Sequence, residues 1–211
     1  FKKLTPVDEN SANPYTLTDD DRTVIGNTTP KFSGGFGLNA TFKGFDVSAF
    51  FNFMYDFDVF NANKVMMTTW ASNNYNNFSM DISAAKRWRN FDDMGNEIRY
   101  SPEILAEFNK NATMWNPTSI GRPIAMSYAV EDGSFLRLNT ATIGYTLPRA
   151  WTNKVGLSRV RFYASGYNLF TITGYSGYDP EVDIATGLTP NIDNNRYPRS
   201  RTYTFGVQLT F

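Results

Sequence analysis

The final segment of the chain has the most regular pattern of hydrophobic and polar positions. After Arg201, every second side chain is apolar or aromatic, and the side chains between them are small or polar. A period of two is typical of a β-strand whose two faces meet different environments. The segment 200–211 is therefore predicted to be a strand with one face suited to lipid and one to a wet lumen. Its apolar positions are Tyr203, Phe205, Val207, Leu209 and Phe211.

The same alternation predicts four further strands. Segments 32–42 and 45–57 flank the two-residue turn Lys43-Gly44 and together predict a β-hairpin. Segments 133–147 and 159–170 are less regular. In the first of these, the apolar positions change register between Leu138 and Ala141, which predicts a β-bulge or a rim position near the start of the segment.

The connections between the predicted strands alternate between short and long. Lys43-Gly44 and 148–158 are short, whereas 58–132 and 171–199 are long. Short periplasmic turns and long extracellular loops are typical of outer-membrane barrels. Within the first long loop, Ser101-Pro102-Glu103 has the residues that begin a helix, which would continue to Phe108.

Five strands cannot close a membrane barrel, since the smallest known barrels have about eight. We therefore expect an all-β fold in which residues 1–211 form the C-terminal strands of one large antiparallel transmembrane β-barrel. The plug and the earlier strands are expected to lie outside this chain. An open sheet edge in hydrocarbon would leave backbone groups unpaired at a cost of several kcal/mol each.

Composition removes several classes of function. The 20 basic and 20 acidic residues leave no net charge, so nothing favours a nucleic-acid partner. The chain has no His and no Cys, which removes the usual zinc ligands and catalytic pairs. We therefore predict no enzymatic activity, no cofactor and no metal. The acidic loop of Asp179, Glu181 and Asp183 could hold a hard cation, but a solvated loop is the favoured interpretation.

Candidate binding residues come from the strands and from the first long loop. Arg137, Asp46, Asn52 and Asp56 are expected to face the lumen, where Arg137 could contact substrate and the other three could hold the plug. A plain wet wall is the favoured interpretation for all four. The aromatic side chains of the long loop could stack on a ligand such as a sugar, or fill the loop's own core. They are Trp70, Tyr75, Trp88, Trp115 and Tyr128.

The aromatic side chains of the strands predict the outer surface. Rings at the lipid boundary would form an aromatic girdle, and such an exterior would precipitate without lipid. This argues against a soluble glycan-binding β-sandwich. A barrel that serves as a scaffold or adhesin would show the same strands and stays an alternative. The predicted lipid-facing residues are Phe45, Phe51, Phe53, Tyr203, Phe205 and Phe211.

Several stretches, in order along the chain, resemble the C-terminal region of the SusC/RagA-type TonB-dependent transporters of Bacteroidetes. The resemblance covers most of the chain outside 57–129. The stretches are Ile25-Gly-Asn-Thr-Thr-Pro-Lys-Phe-Ser-Gly-Gly-Phe36, Lys43-Gly-Phe-Asp-Val-Ser48, Asp132-Gly-Ser-Phe-Leu-Arg-Leu138, Ile143-Gly-Tyr-Thr-Leu-Pro148, Ser165-Gly-Tyr-Asn-Leu-Phe170, Tyr178-Asp-Pro-Glu181 and Tyr197-Pro-Arg-Ser-Arg-Thr-Tyr203.

The resemblance implies a plugged barrel of about 22 strands in the cell outer membrane. It implies import of a glycan, oligosaccharide or peptide, driven by TonB through an N-terminal region that this chain lacks. It also implies a SusD-like surface lipoprotein that caps the long loops. These partners and this activity are expectations from the family.

The end of the chain resembles the C-terminal signal that the barrel assembly machinery reads. Gly206, Leu209 and Phe211 occupy its positions, whereas Phe205 stands where a polar residue is usual. Phe211 could equally serve as an interfacial anchor in the aromatic girdle.

Overall fold

The computed structural model describes residues 4–7, 18–70, 77–119, 124–182 and 190–211. Within these ranges the chain forms eight strands and three α-helices, joined by turns and short 3₁₀ segments. In chain order they are β1 (Phe32–Phe42), β2 (Phe45–Tyr55), β3 (Asp58–Asn61), α1 (Ala62–Met66), α2 (Pro102–Asn109), β4 (Val130–Asp132), β5 (Phe135–Thr146), α3 (Arg149–Thr152), β6 (Arg159–Thr173), β7 (Ile192–Asp193) and β8 (Thr202–Thr210).

The five long strands form one antiparallel sheet in the order β1-β2-β5-β6-β8. The expected all-β fold of antiparallel strands is confirmed. Since successive strands run in opposite directions, the sheet has two distinct ends. The turn Lys43-Gly44 and residues 147–158 lie at one, which we call the short-connection end. Residues 56–134 and 174–201 leave from the other, the long-connection end.

The hairpin turn between β1 and β2 depends on Gly44. Lys43 has a φ of 46° and Gly44 a φ of 90°, the pair of positive values found in tight two-residue hairpins. A side chain at Gly44 would also meet the carbonyl oxygen of Thr146, 2.8 Å from an added Cβ. The turn therefore packs directly against the end of β5.

The predicted bulge in β5 is present. Pairing with β2 changes register between Phe50 and Phe51, and pairing with β6 changes between Leu138 and Thr140. On β6 the same level contains Asn168, whose φ is 52°. The extra residues keep apolar side chains on one face on both sides of the bulge.

The strand boundaries differ from the predicted segments at several ends. Segment 45–57 was expected to be continuous, but β2 ends at Tyr55. Asp56 has a φ of 59° and donates its backbone N–H to Ser134 Oγ at 2.9 Å, so it leaves the ladder. Strand β6 continues to Thr173, three residues beyond the predicted 159–170, because Thr171–Thr173 pair with β5.

The long connections are themselves folded. Strand β3 pairs with β4 in antiparallel fashion and with β7 in parallel fashion, so the two connections share one small sheet. One buried cluster joins this sheet to the long strands through Phe57, Val59, Phe135, Tyr175 and Val182. The predicted helix after Ser101 is confirmed as α2, with Pro102 in its first turn. Among the described residues, no helix is long and apolar enough to span a membrane.

Candidate functional site

The five-stranded sheet has an apolar face on which side chains line up in rows across all strands. The row nearest the short-connection end is mainly aromatic, the middle rows are mostly small and aliphatic, and aromatic rings return further along. The first row is Phe42, Phe45, Tyr145, Phe162 and Val207. A middle row is Leu38, Ala49, Ala141, Gly166 and Tyr203. A later row is Phe36, Phe51, Leu138 and Phe170.

Ring contacts join neighbouring strands on this face. Phe36 and Phe51 are stacked with centroids 5.0 Å apart, and Phe45 and Tyr145 lie at 4.5 Å. The face is nonetheless open, since Phe205 is 79% exposed. A contiguous open apolar surface of this kind requires a partner, either protein or lipid. The predicted lipid-facing residues Phe45, Phe51, Phe53, Tyr203 and Phe205 all belong to it, whereas Phe211 lies beyond β8 and is exposed.

The opposite face is polar, and its central row carries hydroxyl and amide groups. Thr142 and Ser165 share a hydrogen bond of 2.8 Å across β5 and β6. The row is Asn39, Ser48, Thr142, Ser165 and Thr204. Phe50 interrupts this polar face and lies over Gly35, where an added Cβ would be 2.8 Å from its ring.

An ion pair crosses a whole strand of the polar face near the short-connection end. Arg161 on β6 reaches Asp46 on β2, with Nε 2.9 Å from Oδ1 and a second contact from Nη2 to Oδ2. Between them lies Gly144 of β5, the register partner of Asp46. An added Cβ there would be 2.5 Å from the guanidinium and 2.6 Å from the carboxylate. The absence of a side chain at Gly144 therefore leaves room for the ion pair.

Arg137 lies on the polar face near the long-connection end and is almost fully buried, at 1% exposure. Its guanidinium contacts Asp179 at 2.5 Å and Glu181 at 3.6 Å. Glu181 also pairs with Arg199 at 2.7 Å. These contacts fix the second long connection to β5, and they leave Arg137 inaccessible to a ligand unless the connection moves away.

The interpretation of the acidic loop as solvated is wrong for Asp179 and Glu181, because both carboxylates are largely buried beside Arg137. Asp179 accepts hydrogen bonds from Arg137 and from the backbone of Glu181. Asp183, the third carboxylate considered from sequence, lies outside the described residues. No cluster of metal-ligating side chains is found in the described ranges.

Of the other predicted lumen residues, two lie on the polar face and one lies beyond its edge. Asp46 and Asn52 lie on the polar face, and the buried Asn52 Oδ1 has no hydrogen-bond partner among the described residues. Asp56 lies past the end of β2, where it pairs with Lys31 instead of continuing the polar face. Their proposed contacts with a plug or substrate stay predictions.

Two of the predicted aromatic candidates pack together inside the first long connection. Trp115 and Tyr128 meet edge to face at 5.1 Å and cover the cluster of Val65, Met126 and Ala129. Trp115 donates its Nε1–H to Thr68 O, and Tyr128 donates its hydroxyl to Asp81. Burial, with help from the Asp81 carboxylate, raises the pKa of Tyr128 to about 12. Both rings therefore serve the core of the connection.

The remaining aromatic candidates are separate from that core. Trp70 is 47% exposed and lies 5.9 Å from the Phe78 ring. Trp88 is 41% exposed and donates its Nε1–H to Asn90. Tyr75 lies outside the described residues. Of the set, Trp70 and Trp88 are the described rings that a ligand could reach.

Sequence reasoning missed the polar network that holds the two long connections together. Glu131 accepts hydrogen bonds from Ser176, pairs with Lys64 at 3.2 Å and receives the amide of Asn61. Burial opposes its charge, but the Ser176 and Lys64 contacts outweigh burial and lower the pKa of Glu131. Tyr175 donates to Asp193 at 2.6 Å. No local pattern signals these contacts, because the partners come from segments far apart in sequence.

At the end of the chain, Gly206 lies under an aromatic side chain. The ring of Tyr163 on β6 occupies the space that a Cβ at Gly206 would need. Leu209 pairs with Val160, and Phe211 follows the last strand. A recognition role for these positions in assembly stays a prediction.

Curated sequences similar to the chain are named TonB-dependent receptors. TonB-dependent receptor P3 of Formosa agariphila is 32% identical over 197 residues, which cover 90% of this chain and 17% of the receptor. TonB-dependent receptor SusC of Bacteroides thetaiotaomicron is 32% identical over 164 residues, which cover 71% of this chain and 15% of SusC. The chain thus spans 15–17% of the length of these relatives. No protein-family model matches it.

Solved structures give the same relationship. A RagAB peptide importer in a closed-closed state matches with a TM-score of 0.69 at 25% identity, over 93% of this chain and 19% of that one. A RagAB peptide transporter structure matches with a TM-score of 0.68 at 26% identity, over the same shares.

Proposed function

We propose that this chain forms part of the transmembrane barrel wall of an outer-membrane nutrient importer. The chain is homologous to part of the SusC/RagA-type TonB-dependent receptors and shares the fold of a portion of their barrel. The observation that carries the proposal is the five-strand apolar face with its polar reverse. A barrel wall that meets hydrocarbon outside and water inside needs one apolar face and one polar face.

The dimensions of the apolar face fit a bilayer. On β2 the outward positions run from Phe45 to Tyr55, which is about 34 Å along an extended strand. A strand tilt of about 40° reduces this to about 26 Å of height, close to the apolar band of about 25 Å on outer-membrane barrels. The aromatic row of Phe42, Phe45 and Tyr145 near the short-connection end would form the girdle at one interface.

The substrate would pass along the polar face, and we propose a glycan, oligosaccharide or peptide as the class. The support is the relationship to SusC and to the RagAB peptide importer. Trp70 and Trp88, two exposed rings on the first long connection, could make a first contact with the substrate. A SusD-like lipoprotein would cover these connections, and TonB would act on the plug in a part of the receptor beyond this segment.

Membrane extraction tests the location. The full-length receptor should stay in the membrane fraction after a carbonate wash and enter solution only with detergent. A receptor that stays in the aqueous phase without detergent would contradict the proposal and favour a soluble sandwich.

Growth tests the transport. A strain that lacks the full-length receptor gene should lose growth on one nutrient class supplied alone and keep growth on simple sugars. Restoring the intact gene should recover growth. Unchanged growth on every glycan and peptide source would favour a scaffold or adhesin barrel.

A further inference from the structure

The short-connection end of the sheet is rich in positive charge. Lys43 lies in the hairpin turn, Arg149 and Lys154 in the connection 147–158, and all three are exposed. The sequence has no Asp or Glu between Gly133 and Tyr178. Asp46, the carboxylate at this end, is engaged by Arg161. No described carboxylate lies within ion-pair distance of Lys43, Arg149 or Lys154.

An apolar groove lies toward the same end of the sheet. It has a volume of about 470 Å³ and runs across β5, β6 and β8. Ala164 forms a low floor because its register partners, Ile143 and Phe205, and the neighbouring Phe162 are much larger. Phe45, which also lines the groove, directly follows the Lys43-Gly44 turn. The groove and the cations therefore share one end of the sheet.

We propose that this groove and the cations of the short connections bind one anionic glycerophospholipid, with an acyl chain in the groove and the phosphate near Lys43, Arg149 and Lys154. The inference rests on the proposed membrane location, with the short-connection end at the inner leaflet. Free phosphate would leave the groove unused, whereas a neutral lipid would leave the cations without a counter-charge. An anionic phospholipid matches both parts.

An exposed tryptophan supports a position of the site at the headgroup level of the bilayer. Trp151, in the same connection as Arg149 and Lys154, is 61% exposed. Tryptophan favours the headgroup level of a bilayer, where its ring meets chains and its N–H meets polar groups. Lys and Arg beside it would extend their charged ends toward phosphates.

The test uses the full-length receptor in detergent micelles and native mass spectrometry. Dioleoyl phosphatidylglycerol and dioleoyl phosphatidylcholine are titrated separately, and the bound fraction is read from the mass of the complex. We expect tighter binding of phosphatidylglycerol. The triple variant Lys43→Gln, Arg149→Gln, Lys154→Gln should weaken phosphatidylglycerol binding roughly 10- to 100-fold and leave phosphatidylcholine unchanged.

Two further variants separate the contribution of the charges to lipid binding from that of the groove. Ala164→Phe fills the floor and should weaken both lipids with all charges kept. Lys86→Gln, Arg99→Gln, Lys110→Gln removes the same charge from the first long connection and should leave binding unchanged. Equal binding of the two lipids, or no loss in the first triple variant, would overturn the phospholipid site while the receptor still partitions into membranes. A receptor that never partitions into membranes would overturn this site together with the proposed function.

Discussion

At the scale of single residues, Gly144 shows how a missing side chain permits an interaction between its neighbours. The Asp46–Arg161 pair bridges β2 and β6 directly over it. A methyl group would stand closer to both charged groups than Cβ atoms are found in proteins. Gly37, on the same face of β1, has no such neighbour, since its nearest atoms lie at 3.7 and 3.8 Å.

We predict that Gly144→Ala destabilises the full-length receptor by about 1–3 kcal/mol, because the methyl group overpacks the site and separates the ion pair. Gly37→Ala, the matched control, should change stability little. Denaturant unfolding in micelles, followed by the shift in electrophoretic mobility of the unheated barrel, measures the difference. Equal midpoints for the two variants would show that the ion pair relaxes around a side chain.

Residue patterns predicted the faces of the strands but not the contacts between distant segments. The alternation after Arg201 and in 32–57 is local, so it could be read directly. The partnership of Arg137 with Asp179, and of Glu131 with Lys64 and Ser176, depends on how two long connections fold together. Similarly, the sequence left open whether Trp115 and Tyr128 stack on a ligand or fill the loop's own core, and the structure shows the core.

At the scale of elements, the two faces of β2 offer a direct test of the membrane wall. Ala49 lies in a middle row of the apolar face, and Ser48 lies beside it on the polar face. Arg at the level of Ala49 would meet hydrocarbon, at a cost of about 2–4 kcal/mol near the midplane. Arg at Ser48 would meet a wet surface.

We therefore expect Ala49→Arg to reduce the folded fraction of the receptor in bilayers far more than Ser48→Arg. The folded fraction is measured by heat-modifiability after refolding into vesicles. Similar losses for both variants would mean that the face carrying Ala49 does not meet lipid.

The second long connection is held to the sheet by a buried charge. Arg137→Met would leave Asp179 buried without its partner, and breaking such a pair costs about 3–5 kcal/mol. We predict faster hydrogen exchange in residues 175–182 with the sheet protected as before. Arg199→Met removes a half-exposed partner of Glu181 and should change exchange little. Unchanged exchange in the Arg137 variant would place the anchor elsewhere, for example in Tyr175 and Asp193.

The junction of the two connections should respond to acid. Contacts with Ser176 and Lys64 lower the pKa of Glu131 below its usual 4.5. The stabilisation it provides is therefore complete above that value and is lost as pH falls through the lower folded pKa. Hydrogen exchange of 58–66 and 127–132 should rise in this acidic range, and Glu131→Gln should make exchange in these segments less dependent on pH. Equal acid sensitivity of the two proteins would assign the effect to other carboxylates.

At the scale of the whole molecule, the two ends of the sheet differ in chemistry. The short-connection end combines a tight turn, exposed cations and a ring-lined groove. The long-connection end carries a second small sheet, two buried clusters and most of the ion pairs. Loop lengths alone predicted this asymmetry, because short and long connections alternate along the chain. Loop lengths did not predict how the long connections fold.

The bulges in β5 and β6 also limit how related chains can change in length. Removing one residue from β5 between the bulge and Tyr145 would exchange the faces of every position beyond the change, so hydroxyl groups would point outward and rings inward. Loss of two residues would preserve the faces. Within the sheet, surviving insertions and deletions should therefore come in even numbers, or in odd numbers matched by a second bulge, whereas this rule does not apply to the long connections.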